Sequence, residues 1–383
     1  MVQETPSISS NAKDRVFNLI PDKNLFVAAV TLTLAVRAYL FWNYYTINND
    51  GVLYIEAARH FWNGNWFGGL ESFHPPLFPL MIAVAFPMTG EWESAGQFWP
   101  LILGVLIIVP LFSLLQRFYG QKVALIALFF YSVSPNLTRL SIHARSEIPY
   151  IFFLVLALYF LQRAIDRERH FPLFFIAGIT SALAYLVRPE GVGLAIVGAF
   201  YLLYRGWKQG ALKRGCLQIG IFFLGFVLFS APYGLYLKWD TGNWIISRKA
   251  ANVLSIALAD HDPSVKEVSQ KDSGKTSAIG LIASRPSLYL KKVFIDAFRS
   301  LVVYFEALHY SYLPFLLLGC FFCLCGPFWE RDDFLFFALI VFYLAAFALL
   351  YVNRRFAVPL VPLSLGWIGA GYLAFHDFAC QKW

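Results

Sequence analysis

Long runs of apolar, nearly uncharged residues recur along the whole chain, and they constrain its fold more than any other feature. The first run, LFVAAVTLTLAVRAYLFWNYY, covers residues 25–45. A transmembrane helix needs about 20 such residues to cross about 30 Å of hydrocarbon. The runs are continuous and do not alternate with period two, which argues against a membrane β-barrel. They therefore predict an all-α polytopic membrane protein.

The charge content argues against a soluble enzyme. Of the 383 residues, only 14% are charged and 58% are hydrophobic, whereas soluble globular domains carry about 25% charged residues. The formal net charge of +8 would suit a nucleic-acid partner, but its distribution indicates cationic loops on one side of a membrane. We expect an integral protein surrounded by membrane lipid, with no nucleic-acid partner.

We place about ten transmembrane helices, and the apolar runs allow a range of about nine to twelve. The segments are residues 25–45, 97–116, 122–134, 148–164, 171–187, 191–205, 216–237, 309–325, 334–351 and 356–375. Short loops on one side are rich in Lys and Arg, so the positive-inside rule places that side, with both termini, in the cytoplasm. The predicted parts are a cytoplasmic tail 1–24, a transmembrane domain 25–376 and a cytoplasmic tail 377–383.

Two connections on the opposite, external side are long. The first, 46–96, contains a short apolar segment at 77–88 that is flanked by prolines. This segment is too short to span and predicts interfacial or re-entrant helices. The second, about 238–297, includes HDPSVKEVSQKDSGKTSAIG, which is rich in Ser, Lys, Asp and Gly, and predicts a long external loop.

Ionisable residues collect at the external face, against the trend of the positive-inside rule. An ion near the membrane is energetically expensive and usually faces protein or a water-filled cavity. Arginines offer planar forks that suit phosphate, and carboxylates offer bases, so the set predicts a site for an anionic, membrane-borne substrate. The alternative is that these groups pair with one another and fasten loops. The residues are Arg37 inside the first span and, at the external face, Asp50, Glu56, Arg59, Glu71, His74, Arg139, His143, Arg145, Glu147, Arg188, Glu190, Arg354 and Arg355.

The stretch RLSIHARSEIPYIFF combines several of these residues. Arg139, His143 and Glu147 are four apart, so they share one face if the segment is helical. Ser146 is suited to cap the helix that begins near residue 148, and Glu147 would then favour its positive N-terminal end. Capping is therefore the alternative to a chemical role for Glu147.

Five motifs follow one another in an order that resembles a known family. They are NNDGVLYIEAARHFWNG, HPPLFPL, YSVSPNLTRLSIHARSEIPYIFFLVLAL, AYLVRPEGVGLA and YVNRRFAVPLVPL. Together they are similar to the GT-C class of polyprenyl-phosphate-sugar-dependent glycosyltransferases, in the branch of the protein O-mannosyltransferases and the bacterial aminoarabinose transferases of lipid A. The resemblance runs in order over about residues 25–365, and its specificity comes from the order and spacing of the motifs.

The resemblance implies catalytic roles for two acidic residues. In that family the acid after the first span is the catalytic base, and Asp50 occupies this position. Many relatives have a second acid beside it, whereas the neighbours here are Asn49 and Gly51, which leaves Asp50 as the single candidate in this motif. Glu147 matches a second acid, in the next external loop of the family.

The remaining matches imply contacts to the phosphate of the donor. His74 stands where relatives carry His or Lys, and Arg188 where they have Lys or Arg before Pro or Gly. Arg354 or Arg355 matches a basic residue before the Pro-rich last segment. Arg59, Arg139, His143 and Arg145 complete the predicted substrate-binding set.

The chemistry of such a reaction suits these residue types. A polyprenyl phosphate is a leaving group that is already ionised, so it needs positive charge and no acid, while the attacking hydroxyl needs a base within about 3 Å. A single displacement inverts the anomeric carbon, without the acid and nucleophile pair of retaining glycosidases. We therefore expect a membrane glycosyltransferase that moves a sugar from a polyprenyl-phosphate donor to a hydroxyl of a glycan, lipid or protein.

Localisation, cofactor and the competing function are the remaining predictions. We expect a bacterial inner membrane, with the active site facing the periplasm or exterior. The sequence implies no firm cofactor; a divalent metal held by Glu71, His74 and His143 stays open as an alternative, although no tight ligand spacing appears among them. The alternative function is a transporter or flippase for an anionic lipid or solute.

Overall fold

The computed structural model describes residues 23–44, 47–167, 170–248, 282–324 and 333–382, together with positions 253, 254, 256–258 and 260. Among these residues, the regular elements are α-helices and short 3-10 helices, which confirms the predicted all-α class. The predicted tail 1–24 lies almost entirely outside the described residues, and so do positions 249–252, 255, 259 and 261–281 of the predicted loop 238–297. The predicted tail 377–383 is helical as far as Lys382.

Seventeen helices are numbered here in chain order. They are α1 (Lys23–Asn43), α2 (Asn49–Trp62), α3 (Trp66–Leu70), α4 (Leu77–Thr89), α5 (Trp92–Leu106), α6 (Ile108–Tyr119), α7 (Gln121–Val133), α8 (Pro135–Leu140), α9 (Glu147–Asp166), α10 (Phe171–Val187), α11 (Gly191–Lys208), α12 (Leu212–Thr241), α13 (Pro286–Leu308), α14 (Leu313–Leu324), α15 (Phe334–Leu349), α16 (Arg354–Ala357) and α17 (Val361–Lys382).

Several helices have the length and composition to cross a membrane. Five helical stretches of the described residues qualify alone, and a sixth qualifies if α13 and the helix after it, which are bent by 88° to each other, form one span. The five are Lys23–Asn43, Trp92–Tyr119, Glu147–Asp166, Leu212–Thr241 and Arg354–Cys380. Helices α4, α7, α10 and α15 are shorter but also apolar. The protein is thus an integral membrane protein, and the count of about ten spans stays a prediction.

The connection 46–96, which the sequence predicts to be external, contains helices α2, α3 and α4. Tyr54, Ala58 and Phe61 are buried on one face of α2 and pack in a small apolar core with Phe78 of α4. Residues spaced by three and four lie on the same side of a helix, so this pattern gives α2 one buried face. The core holds α2 against the bundle, and the first turn of α2 carries Asp50. The location of these helices at the membrane interface stays a prediction.

The structure differs from the sequence prediction at the end of the second external connection. Pro286–Leu308 is one helix, whereas we assigned residues up to 297 to a loop. Its charges suggested a solvated segment, but Lys292 and Asp296 are buried and pair at 3.4 Å on the face that packs against α15. Phe294 and Phe298 are exposed on the other face. Lys292 and Asp296 therefore face the protein interior, which the charge content of the segment alone does not indicate.

Helices α10 and α12 pack closely against each other. A Cβ at Gly178 would lie 2.0 Å from the carbonyl oxygen of Phe222, and one at Gly225 would lie 2.3 Å from that of Phe175. Small residues let membrane helices approach in this way. Helix α10 ends at Val187, directly before Arg188.

Candidate active site

Two carboxylates and one guanidinium meet at the centre of the candidate site. Arg355 Nη2 lies 2.7 Å from Asp50 Oδ2 and 2.7 Å from Glu147 Oε1. The Nε of Arg355 donates to the same Glu147 oxygen at 3.0 Å. Asp50 and Arg355 are 305 positions apart in the sequence. The fold therefore brings three of the predicted site residues, from three distant motifs, into direct contact.

Arg188 extends this contact into an ion network with two different ends. Its Nη1 is 3.2 Å from Glu147 Oε1, and its Nη2 is 3.0 Å from Glu190 Oε1. The Glu147 and Arg188 side chains are 0% and 5% exposed, whereas those of Asp50 and Arg355 are 29% and 34% exposed. Burial alone would lower the pKa of Arg188, but Glu190 and Glu147 outweigh it and hold the pKa above its ordinary value. We call Glu147 and Arg188 the buried end, and Asp50 and Arg355 the exposed end.

Local contacts fix Asp50 in the first turn of α2. The side chain of Asn48 caps the helix and accepts a hydrogen bond from the Gly51 amide at 2.9 Å. A Cβ at Gly51 would lie 3.2 Å from the Ala144 carbonyl oxygen, and a Cβ at Gly96 would lie 2.7 Å from Ala144 Cβ. The two glycines thus hold Ala144 between α2 and α5. A side chain at position 51 would be crowded by the Ala144 carbonyl oxygen.

The segment around Ala144 is not helical. Helix α8 ends at Leu140 and α9 begins at Glu147, so Arg139, His143 and Glu147 do not share one helical face. The condition for a shared face, a continuous helix, is not met, because irregular backbone passes between α2 and α5 at Ala144. The segment from 141 to 146 delivers Glu147 to the network at the first turn of α9.

Ser146 links the network to α2. Its hydroxyl lies 2.7 Å from the Tyr54 hydroxyl and accepts from Arg188 Nη1 at 3.4 Å. It does not cap α9 with its side chain, contrary to the sequence prediction. Burial raises the pKa of Tyr54, so its phenol stays protonated and hydrogen-bonded. The ring of His74 packs on Tyr54 with centroids 4.3 Å apart, which puts His74 one side chain away from the network.

Arg145 differs from the other arginines of the site. Among the described residues it forms no ion pair, and its buried Nε has no hydrogen-bond partner. Burial and the neighbouring Arg355 lower the pKa of Arg145, and Glu147 and Asp50 offset this only in part. A partly buried cation without a carboxylate partner is suited to bind an anion. Fastening of loops accounts for Arg188 but not for Arg145.

Arg139 and His143 lie at a cavity of about 420 Å³ beside the C-terminal end of α1. The remaining lining residues are Leu40, Tyr44, Pro135, Thr138 and Ile142. None of the lining residues is acidic, and most are apolar. The cavity therefore suits an amphipathic molecule with a negative charge.

Arg59 and Arg354 are engaged away from the ion network. The Arg59 guanidinium lies over the Trp92 ring, 5.6 Å from its centroid, and nine residues of helix place it about 13 Å along α2 from Asp50. Arg354 Nη2 donates to Asn136 Oδ1 at 2.7 Å, and the Asn136 amide donates to a backbone carbonyl of α13 at 2.8 Å. These two contacts fasten helices to one another.

Arg37 is fully buried inside α1. Its Nε donates to Ser141 Oγ at 3.1 Å, and its guanidinium lies over the Tyr131 ring, 4.9 Å from the centroid. The Nη2 of Arg37 has no hydrogen-bond partner among the described residues. Arg37 thus braces the start of the segment that leads to Glu147.

Three residues of the site received no catalytic or substrate-binding role from the sequence. Glu190 was among the external ionisable residues, and it follows Arg188 by two positions in a short turn. Tyr54 lies one helical turn after Asp50, but its partner Ser146 is far away in the sequence and was interpreted as a cap. Only the packing of α2 on the 141–146 segment brings these two hydroxyls together.

The residues present do not fit a divalent metal ion. Asp50 and Glu147 are the carboxylates that meet, and the cation between them is the guanidinium of Arg355. In the part of the chain that the structure describes, no three His, Cys, Asp or Glu residues come together as a metal site. The set left open by the sequence, Glu71, His74 and His143, does not form one.

Part of the chain matches a known family. Residues 73–234 match the family model of dolichyl-phosphate-mannose-protein mannosyltransferases. An uncharacterized protein of Aquifex aeolicus (strain VF5) is 33% identical over 165 residues, which cover 41% of this chain and 33% of that protein.

Solved structures share the fold over nearly the whole chain. The Archaeoglobus fulgidus oligosaccharyltransferase, in complex with Zn and sulfate, has a TM-score of 0.60 at 18% identity, over 93% of this chain and 49% of its own. AglB from the same organism, with an inhibitory peptide and a dolichol-phosphate, has a TM-score of 0.56 at 16% identity, over 94% and 51%. ArnT from Cupriavidus metallidurans, bound to undecaprenyl phosphate, has a TM-score of 0.55 at 14% identity, over 91% and 59%.

These matches confirm the resemblance to the GT-C class at the level of the fold. The chain spans about half the length of the oligosaccharyltransferase structures and about a third of the length of the Aquifex aeolicus protein.

Proposed function

We propose that the protein is a membrane glycosyltransferase that moves a sugar from a polyprenyl-phosphate donor to a hydroxyl of a glycan, lipid or protein. The observation that carries the proposal is a partly exposed carboxylate, Asp50, beside Arg355 and near Arg145, a cation that forms no ion pair among the described residues. A base and an anion site thus lie side by side. The mannosyltransferase match over 73–234 and the fold shared with proteins that hold dolichol-phosphate or undecaprenyl phosphate support the same conclusion.

The difference in exposure favours Asp50 over Glu147 as the base. The acceptor hydroxyl must come within about 3 Å of the base, and the Asp50 side chain is 29% exposed whereas that of Glu147 is 0% exposed. Asp50 is therefore the proposed base. Glu147, which binds Arg355 and Arg188 at once, is proposed to hold the arginines in place.

The proposed reaction is a single displacement. The acceptor oxygen attacks the anomeric carbon while its proton passes to Asp50, and a new glycosidic bond forms. The bond between the anomeric carbon and the phosphate oxygen breaks, and its electron pair leaves with the polyprenyl phosphate. Arg145 and Arg355 stabilise the charge that develops on this phosphate. One such displacement inverts the anomeric configuration.

The remaining predicted contacts lie around this centre. His74 borders the network through Tyr54, and we propose that it lines the donor site. Arg139 and His143 are proposed to contact an anionic part of a substrate whose apolar part enters the cavity beside α1. The positive-inside rule supports a site on the outer face of the membrane, and we propose the bacterial inner membrane as its location.

Transfer of a labelled sugar by purified protein tests the proposal. Wild type and Asp50→Asn are offered radiolabelled polyprenyl-phosphate sugars, and both donor binding and sugar transfer or release are measured. Loss of the base should slow transfer by about 10²- to 10⁴-fold without loss of donor binding. Glu56→Gln, the same chemical change at an exposed position of α2, should transfer like wild type.

Two results would count against the proposal. Transfer by Asp50→Asn at the wild-type rate means that Asp50 is structural. If wild type binds no polyprenyl-phosphate sugar at all, the transporter alternative takes precedence.

A further inference from the structure

The proposed base is already engaged in a strong contact. The Oδ2 of Asp50 accepts a charge-assisted hydrogen bond from Arg355 Nη2 at 2.7 Å. Such bonds stabilise the ionised carboxylate and oppose the transfer of a proton to it. In the arrangement that the structure shows, Asp50 is therefore a weakened base. The hydrogen bond between Arg355 and Asp50 must weaken before Asp50 can accept the proton of the acceptor.

Arg355 is held to a buried partner through two of its nitrogens. Its Nε and Nη2 donate to Glu147 Oε1 at 3.0 and 2.7 Å, and Glu147 is fully buried and also paired with Arg188 at 3.2 Å. The Nη2 of Arg355 additionally donates to Asp50 at 2.7 Å, at the partly exposed end of the network. Because Glu147 holds Nε as well as Nη2, a small turn of the guanidinium can replace Asp50 as a partner of Nη2 while the contact to Glu147 is kept.

Arg145 indicates where an anion that competes with Asp50 for Arg355 would bind. Arg145 is near enough to Arg355 for the two cations to repel each other, as the lowered pKa of Arg145 shows, after the larger effect of burial. It has no ion pair among the described residues. An anion placed between Arg145 and Arg355 relieves that repulsion and competes with Asp50 for Nη2. The donor of the proposed reaction carries such an anion in its phosphate.

We propose that Arg355 couples donor binding to activation of the base. Without donor, Arg355 neutralises Asp50; when the donor phosphate binds, Nη2 turns from Asp50 to the phosphate while Nε stays on Glu147. Asp50 becomes an effective base only when a sugar is in place. The inference rests on the proposed function and adds to it a positioning role for Arg355 and Glu147 that acts through Asp50.

The proposed coupling has a measurable consequence for the affinity of the donor. If Asp50 and the phosphate compete for one guanidinium, removal of the Asp50 charge strengthens donor binding even though it abolishes transfer. Because binding couplings are reciprocal, the gain equals the strength with which Asp50 holds Arg355. A partly exposed ion pair predicts a gain of about threefold to fivefold.

The experiment measures the affinity of a polyprenyl methyl phosphate diester, which carries one permanent negative charge and no sugar. Wild type, Asp50→Asn, Asp50→Ala and Glu56→Gln are compared in the same detergent, after their melting temperatures show that they are folded. We expect both Asp50 variants to bind about threefold to fivefold more tightly than wild type. Glu56→Gln removes a charge from the same helix and should stay within about twofold.

The double variant separates competition from general electrostatics. In an Arg355→Met background the diester should bind more weakly, and Asp50→Asn should then bring no gain. The coupling is wrong if the Asp50 variants bind no more tightly than Glu56→Gln, or if their gain persists without Arg355. If wild type itself does not bind the diester, the proposed function fails together with the coupling, so the two failures are distinguishable.

Discussion

The two ends of the ion network contain the same chemical groups, a carboxylate and an arginine, in opposite surroundings. Glu147 and Arg188 are almost completely shielded from solvent, whereas about a third of the side-chain surface of Asp50 and Arg355 is accessible. Removal of one partner from a buried pair leaves an uncompensated charge and costs about 3–5 kcal/mol, while a surface pair contributes about 0–1 kcal/mol. The buried end is thus suited to hold the fold, and the exposed end to exchange partners.

Glu147→Gln should have the largest effect on stability. It removes the carboxylate that two arginines share, so we expect the free energy of unfolding to fall by about 3 kcal/mol. Asp50→Asn makes the same change at the exposed end and should cost about 1 kcal/mol or less. Denaturant unfolding in detergent, followed by circular dichroism, compares the two. Equal losses would mean that the two ends do not differ as their exposure indicates.

Gly51→Ala should shift the exposed end without removing any charge. The new Cβ would lie 3.2 Å from the carbonyl oxygen of Ala144, whose segment is confined by Gly96, so the first turn of α2 must move by a few tenths of an ångström. Misplacement of a base by 1 Å costs about 10²-fold in rate, so we expect kcat for sugar transfer to fall about tenfold. Gly220→Ala, at a helical position with open space around it, should leave kcat unchanged. A wild-type kcat for Gly51→Ala would contradict this account of how Asp50 is placed.

Arg145→Gln should weaken donor binding while leaving stability nearly unchanged. Arg145 has no ion pair to lose among the described residues, but the proposed phosphate would lose one cation. We expect donor affinity to fall about tenfold, or about 1.4 kcal/mol, as measured by titration with the donor. Arg59→Gln, whose guanidinium lies over Trp92, is the matched control and should bind like wild type. Equal losses for the two variants would assign the effect to net charge.

The central residues of the site were predictable because ions beside membrane segments are rare. Asp50, Glu147, Arg188 and Arg355 each lie close to the end of an apolar run, where an unpaired charge is costly. This argument selects residues that need partners, and the fold provides them for one another. The same argument also selects Arg59, although this residue lies away from the ion network. The direction of its side chain depends on how α2 is rotated against α4, which the sequence does not give.

The sequence did not predict features that depend on packing between distant segments of the chain. A spacing of four predicts a common face only while the helix continues, and the glycines on either side of Ala144 belong to other motifs. In the same way, Lys292 and Asp296 look solvated until α15 is placed against them. The local sequence is enough to predict which residue types form the site. The irregular segment 141–146 and the inward-facing charges of α13 depend on tertiary contacts.

The sequence separation of Asp50 and Arg355 has a consequence for biosynthesis. Glu147 begins α9 and Arg188 directly follows α10, the next helix, so the two can pair soon after both are made. Asp50 must wait for a partner that lies 305 residues further along the chain, a delay of about 15 to 60 seconds at ordinary translation rates. The nascent protein therefore acquires its buried ion pair well before the pair between Asp50 and Arg355, so chains truncated before Arg355 are expected to lack the proposed activity.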